Sequence, residues 1–186
     1  MENGIVIYES RYGAARQYAQ WIGEKLNLPA KESSELSPWE LAAYDFVIAG
    51  SSIYMGKILL RNWLLKNESA LLSKNVIFFI VGAAPVTETE KTEKYFSDNI
   101  PTALLRKDNH FYLQGKSVFS ELSLADKFFL KIGAWLAKSP EDKKAMLTDF
   151  NAVKPGNLNS LLNATPQLFC QQVKAAKSET AKATLV

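Results

Sequence analysis

Four short apolar runs punctuate the first two thirds of the chain, separated by segments in which apolar positions recur every three or four residues. The runs are Ile5-Val6-Ile7-Tyr8, Asp45-Phe46-Val47-Ile48-Ala49, Val76-Ile77-Phe78-Phe79-Ile80-Val81 and His110-Phe111-Tyr112-Leu113-Gln114. The first three are apolar nearly throughout, the pattern of strands buried on both faces of a parallel sheet. A weaker strand is expected near Pro29 to Ser33. Between the first two runs, Ala15, Tyr18, Ala19, Ile22 and Leu26 share one helical face, which predicts a helix from about Ala14 to Leu26. Ile58 to Leu72 repeats the behaviour with Leu59, Trp63, Leu64 and Leu71. Glu88 to Asn99 is a charged segment with a few apolar positions, and Pro101 is placed to open a further short helix. Strands alternating with helices give an α/β fold, and right-handed crossovers pack helices on both sheet faces. The expected architecture is a three-layer sandwich around a five-stranded parallel sheet in the order 2-1-3-4-5. Its ligand crevice would lie beyond the carboxyl ends of strands 1 and 3.

Farther along, Leu124 to Lys138 is amphipathic, with Leu124, Phe128, Ile132, Trp135 and Leu136 on one face and Lys127, Lys131 and Lys138 beside them. Its simpler reading is a helix packed on the core with solvated lysines. The alternative is a contact with an anionic membrane surface or an acidic partner. Beyond Pro166 one more helix through Lys177 is expected, and Ser178 to Val186 reads as a frayed tail. The domain reading is therefore one unit over residues 1–165, followed by a C-terminal helix and tail over 166–186.

Composition narrows the class. The 186 residues are 47% hydrophobic and 22% charged, values of a globular domain that exclude collagen-like, coiled-coil and mostly disordered chains. One cysteine, Cys170, cannot close an internal disulfide, and with one histidine, His110, it cannot supply a Cys/His zinc site. No metal is expected, and a reducing, cytoplasmic setting fits. The longest apolar stretch, Val76 to Val86, is broken by Gly82 and Pro85 and falls short of the roughly 20 residues that span a bilayer. No basic leader precedes the first strand, so export is not expected.

Three loops at the predicted carboxyl edge carry candidate chemistry. After the first strand, Ser10, Arg11, Tyr12, Gly13, Ala14 and Ala15 form a small-residue turn into a helix, whose backbone N–H groups and N-terminus suit a phosphate. Ser10 can add a hydroxyl, and Arg11 or Arg16 a charge. Neither G-x-x-x-x-G-K-[ST] nor G-x-G-x-x-G is present, which favours a mononucleotide over a triphosphate or dinucleotide. The second loop follows the central strand as Gly50-Ser51-Ser52-Ile53-Tyr54-Met55-Gly56-Lys57, where Tyr54 and Met55 offer an apolar wall for a planar ring. The third, Gly82-Ala83-Ala84-Pro85-Val86-Thr87, is small enough for a flat ligand to lie on its backbone. Together they describe a phosphate cradle beside a ring slot.

The pieces Ile7-Tyr8-Glu9-Ser10-Arg11-Tyr12-Gly13, Gly50 to Lys57, Val81-Gly82-Ala83-Ala84-Pro85 and the aromatic segment Phe111 to Leu136 resemble the flavodoxin-like superfamily. The resemblance covers about the first 150 residues. It points to the flavodoxin-domain branch that includes the menaquinone-dependent protoporphyrinogen dehydrogenases. It implies FMN, with the phosphate on Ser10 to Ala15 and the ring between Ser51, Ser52, Ile53, Tyr54, Met55 and Gly56 on one side and Ala83, Ala84 and Pro85 on the other. Two departures stand out. Ala15 replaces a threonine found in many members, and Tyr54-Met55 replaces the arginine and tyrosine that the dehydrogenases carry before the second-loop glycine.

Charge separates two functional readings. The resemblance implies that an electron shuttle would be strongly acidic, whereas this chain has 22 Lys+Arg against 19 Asp+Glu, a net +3. The basic balance favours an FMN oxidoreductase moving electrons between a small organic substrate and a quinone or similar acceptor, with possible peripheral membrane contact. A carrier docking to a redox protein partner is the alternative, and a non-flavin binding domain a third. His110, at a strand start, and Glu141-Asp142, after Pro140 at a helix start, have structural explanations. Cys170 has no neighbour that would activate it. Nucleic acid binding lacks support, since basic and acidic residues are interspersed.

Overall fold

The computed structural model describes residues 3–136 and 148–168. The four runs and the weaker strand all form strands: β1 (Gly4–Glu9), β2 (Ala30–Glu32), β3 (Phe46–Tyr54), β5 (Asn75–Gly82) and β6 (His110–Gln114). They pair in parallel in the order β2-β1-β3-β5-β6, the five-stranded order expected from the sequence. The sheet gains one strand that was not expected: β4 (Lys57–Ile58) pairs antiparallel with the end of β3.

Alternation along the strands sends side chains to two cores. Ile5, Ile7, Val47, Ala49, Phe78 and Ile80 face one side, where they meet Leu64 and Leu71 of α3 (Arg61–Leu72) and Phe96 of α4 (Thr89–Asn99). Val6, Ile48, Ile77, Phe79 and Leu113 face the other, against Ala15, Tyr18, Ala19 and Ile22 of α1 (Ala14–Leu26) and against Leu158 and Leu161. Both faces are covered, which is why the strand sequences are continuously apolar. The short helix α2 (Pro38–Ala42) opens on a capping box in which the Ser37 hydroxyl accepts from Glu40 N–H.

Several boundaries differ from the sequence reading. The central strand runs to Tyr54, so most of the expected second loop is β-structure. Its remainder is a two-residue turn in which Met55 (φ 49°) and Gly56 (φ 79°) both have positive φ, the geometry of a tight hairpin. Because Ile58 is drawn into that hairpin, α3 starts at Arg61 rather than Ile58. After β6 the chain makes an excursion whose ends pair antiparallel as β7 (Lys116–Ser117) and β8 (Phe150–Asn151), and which carries α5 (Leu124–Leu136). The last described helix, α6 over residues 159–168, begins ahead of Pro166 rather than after it. Lys138, Pro140, Glu141-Asp142, Cys170, the course toward Lys177 and the expected tail lie outside the described residues.

The packed-core reading of α5 is overturned. Leu124 is 85% exposed, Phe128 62% and Trp135 77%. The expected core face points to solvent because the buried Asp126 anchors the opposite side of the helix onto the sheet edge.

Candidate functional site

The site is assembled at the carboxyl edge of the sheet by the β1–α1 turn, the β3–β4 hairpin, the end of β5 and α5. In the first turn, Gly13 takes the left-handed conformation (φ 81°) at the head of α1, a position that glycine fills without strain. That helix has no side-chain cap and no acidic residue in its first turn, so its N-terminal N–H groups and positive dipole end are kept for an anion. Beside it the Ser10 hydroxyl oxygen is buried with no hydrogen-bond partner, a costly state that a ligand acceptor would relieve. An orphaned buried hydroxyl next to an uncapped helix N-terminus is the arrangement a phosphate completes.

Arg11 takes a different part from the one the sequence suggested. Its Nε donates to Asp126 Oδ2 at 3.0 Å and its Nη2 to Oδ1 at 3.2 Å, while the guanidinium carbon lies 4.1 Å from the Tyr54 ring centroid. The hydroxyls of Tyr12 and Tyr54 donate to the same carboxylate. Asp126 N–H in turn donates to Ser123 Oγ at 3.1 Å, capping α5, and Ser123 N–H donates to Tyr12 Oη at 3.3 Å. Burial pushes the Asp126 carboxyl upward, but hydrogen bonds from Tyr12, Tyr54, Arg11 and Ser123 outweigh it and hold the group well below the usual carboxylate range. The hydrogen bond to Asp126 also raises the Tyr54 phenol, so that hydroxyl stays a protonated donor at neutral pH. The other arginine considered, Arg16, makes an exposed pair with Glu32 at 3.4 Å.

Under α5 lies a cleft of about 420 Å³. Arg11 and Tyr12 line it from the first turn with Ala14 at the start of α1, Ser52 to Met55 from the hairpin, Val81 to Ala83 from the end of β5 and the loop after it, and Leu122, Phe129 and Leu130 from the excursion. A second, more polar recess shares Ala14 and Lys116 with it and reaches Gly13 and Gln17 on α1. The first space is mostly apolar in its walls and the second more polar.

The remaining expected residues sit behind these walls. The Ala15 side chain is fully buried beneath α1. Ser51 Oγ accepts from Leu60 N–H at 3.1 Å and so holds the start of α3. Gly56 forms the hairpin tip, Ala84 is buried with its carbonyl accepting from Tyr112 Oη at 3.1 Å, and Pro85 lies outside the cleft lining. His110 stands at the amino end of β6, away from the cleft, bonded to Glu93 Oε2 at 2.9 Å and to the Arg106 carbonyl.

Sequence reasoning missed Asp126, Phe129 and Leu130. Ser123-Leu124-Ala125-Asp126 has the spacing of a helix start with an acid three residues on, which could have flagged Asp126 as a cap residue. Nothing local says that this helix crosses the sheet edge. Asn99 was also missed. From α4 its Oδ1 accepts from Ile58 N–H at 3.1 Å and its Nδ2 donates to the Gly56 carbonyl at 3.3 Å, pinning the hairpin in place.

Residues 5–144 match the family described as Flavodoxin domain. No curated protein matches the sequence. Among solved structures the chain is similar to a flavodoxin, WrbA-like protein from Agrobacterium tumefaciens, with 18% identity, 79% of this chain and 92% of that one covered, and a TM-score of 0.46. It is also similar to oxidised Flavodoxin 2 from Bacillus cereus, with 18% identity, 60% and 84% covered, and a TM-score of 0.45. A third is rubredoxin oxygen:oxidoreductase from Desulfovibrio gigas, with 16% identity, 78% and 37% covered, and a TM-score of 0.42.

Proposed function

From the premise that this chain belongs to the flavodoxin-domain family of FMN redox proteins, we propose that it is an oxidoreductase passing electrons between a small organic substrate and a quinone or similar acceptor. The observation that carries the reading is the roof. Phe129 and Leu130 of α5, with Leu122, cover part of the apolar cleft on the side where a shuttle needs an open edge for a protein partner. A partly roofed apolar cleft admits a flat small molecule far more readily than a protein surface. The basic balance of the chain supports the same choice over an acidic docking face.

The residues fit FMN. Ser10, the N–H groups around Gly13 to Ala15 and the positive end of α1 would hold the phosphate. Ser52 to Met55 and Ala83 would flank the ring. When bound, FMN supplies one- or two-electron transfer at its ring, and the protein controls its potential and access. The hydroxyls of Tyr12 and Tyr54 donate to Asp126 at the mouth of the cleft, and Arg11, paired with the same carboxylate, braces α5 over it. Phe129 and Leu130 would exclude water from the chamber. The electron donor we propose is a reduced organic molecule of planar type, a porphyrinogen being the case raised by the sequence resemblance. Contact with a membrane surface belongs to the same reading.

The test is an FMN titration of the apoprotein against riboflavin, followed by anaerobic reduction and reoxidation with a short-chain quinone. Phosphate-dependent binding and rapid quinone reoxidation are expected. Reoxidation that is slow with quinones and fast only with a protein acceptor would sink the enzyme reading in favour of a carrier.

A further inference from the structure

We infer that the small molecule taken by the cleft carries a carboxylate, which Lys57 and Arg61 hold in a hollow adjoining the cleft at the β3–β4 hairpin. The inference rests on the proposed function in one respect, that the cleft takes a small organic molecule. Tyr54 and Met55 line both the cleft and an open hollow of about 500 Å³, so the two spaces meet at the tip of the hairpin. Lys57 and Ile58 of β4 line the hollow too, with Arg61 and Asn62 from the first turn of α3.

Charge gives the hollow its preference. Lys57 is exposed and Arg61 half-buried, and among the described residues neither makes an ion pair or a side-chain hydrogen bond. No acidic residue is among those lining the hollow. The cations of the cleft itself are already answered, Arg11 by Asp126 at 3.0 Å and Lys116 by Glu121 at 2.8 Å. A negative group on a ring lying in the cleft therefore finds its unpaired cations across the hairpin tip. Arg61 presents a planar fork that matches a carboxylate, Lys57 adds a point charge, and Asn62 adds an amide donor. Between the two spaces stands Met55, 67% exposed, an unbranched apolar side chain over which the link between ring and carboxylate can lie.

Continuity decides between a small molecule and an acidic protein surface. A single ligand lying across the hairpin tip fills both spaces at once, ring in the cleft and charge in the hollow. An acidic protein surface would meet Lys57 and Arg61 without entering the cleft.

The experiment is calorimetric titration of the full chain, FMN-loaded, with anthraquinone-2-carboxylate and with the matching carboxamide, which share a planar body and differ by one charge. The carboxylate should bind roughly tenfold more tightly at low salt, about two- to fivefold from each exposed cation. That preference should shrink at about 0.5 M salt. Lys57→Gln combined with Arg61→Gln should bring the two ligands to within about twofold of each other. The affinities for the carboxamide and for FMN should stay at the parent's values, since neither residue lines the cleft. Lys66→Gln, which removes an exposed cation of α3 outside the hollow, should keep the preference. Equal affinity of the parent for the two ligands, binding of neither, or a preference that survives in the double variant would each overturn the inference. So would hexaglutamate binding as tightly as the anthraquinone carboxylate, which would assign the two cations to an acidic protein surface. Quinone reoxidation separates the two readings. Rapid reoxidation by a neutral quinone without any carboxylate preference removes the hollow as a subsite and leaves the proposed function standing. A carboxylate preference that the double variant loses, without reoxidation by quinone, keeps the subsite and removes the proposed acceptor.

Discussion

Arg11 and Asp126 stand 115 positions apart and meet as a two-pronged ion pair, joining the turn after the first strand to the helix that roofs the cleft. The carboxylate side chain is only 6% exposed, while the guanidinium is 38% exposed. Removing the buried partner is therefore the more damaging change. Asp126→Ala leaves Arg11, Tyr12 and Tyr54 without their acceptor and should cost about 1–3 kcal/mol in urea unfolding. Arg11→Ala should cost less, because water can reach its place. The double variant should fall short of the sum of the singles, with an interaction on the order of 0.5–3 kcal/mol. Strict additivity would mean that the pair contributes no coupling.

The same carboxylate sets a pH dependence of known sign. Its folded value lies below its unfolded value, so the native state stays deprotonated where the unfolded chain has begun to take up a proton. The stabilisation is complete above the unfolded carboxylate value of about 3.9 and is lost as pH falls through the lower folded value. The stability gap between the parent and Asp126→Asn should therefore be flat from neutral pH to about pH 5 and shrink only in stronger acid. Urea midpoints across pH measure it. A gap that closed between pH 7 and 5 would show that Asp126 is not held in this way.

Ser10 separates apoprotein stability from ligand binding. Its hydroxyl is buried without a partner, so Ser10→Ala removes an unsatisfied group and should leave apoprotein stability unchanged or slightly higher. With a phosphate acceptor in place, the same change removes one hydrogen bond to a charged group, worth about 1.5–3 kcal/mol, or roughly tenfold to a hundredfold in FMN affinity. Riboflavin, which has no phosphate, should bind parent and variant alike. Equal loss with both ligands would place the Ser10 defect in the fold instead of the phosphate site.

Which parts of this arrangement could be read ahead follows from the range of the forces involved. The strands were legible because burial on both faces writes a continuous apolar run into Ile5 to Tyr8 and Val76 to Val81, and strand order followed from chain topology. The turn from Ser10 to Ala15 was legible because small residues between a strand and a helix are a local signature. Arg11 was misjudged because its partner, Asp126, comes from a distant helix, and the second loop because nothing in Gly50 to Tyr54 distinguishes an exposed loop from a strand extended beyond its neighbours. For α5 the pattern was read correctly as amphipathic, but periodicity gives the width of an apolar face and not the direction in which it points.

Asn99 provides the last test, because it supports the cleft without lining it. It is 4% exposed and uses one side chain three ways, accepting from Ile58 N–H and donating to the Gly56 and Tyr95 carbonyls. The hairpin it holds contains Met55 in the left-handed region, where a side chain costs on the order of 1 kcal/mol. A turn strained in this way keeps its shape only while its surroundings hold it. Asn99→Ala should cost about 1–3 kcal/mol of stability, mostly through the unpaired groups it leaves. Asn99→Asp should be at least as costly, since the carboxylate still accepts from Ile58 N–H but turns negative charge toward the two carbonyls that the amide served. In both variants amide hydrogen exchange should quicken at Ile58 and Leu59, whose N–H groups bond to Asn99 and to the Ser52 carbonyl. FMN and riboflavin should weaken together, because in the proposed site the hairpin would wall the ring and lie apart from the phosphate turn. Faster exchange with unchanged affinity for both ligands would remove Ser52 to Met55 from the ring wall.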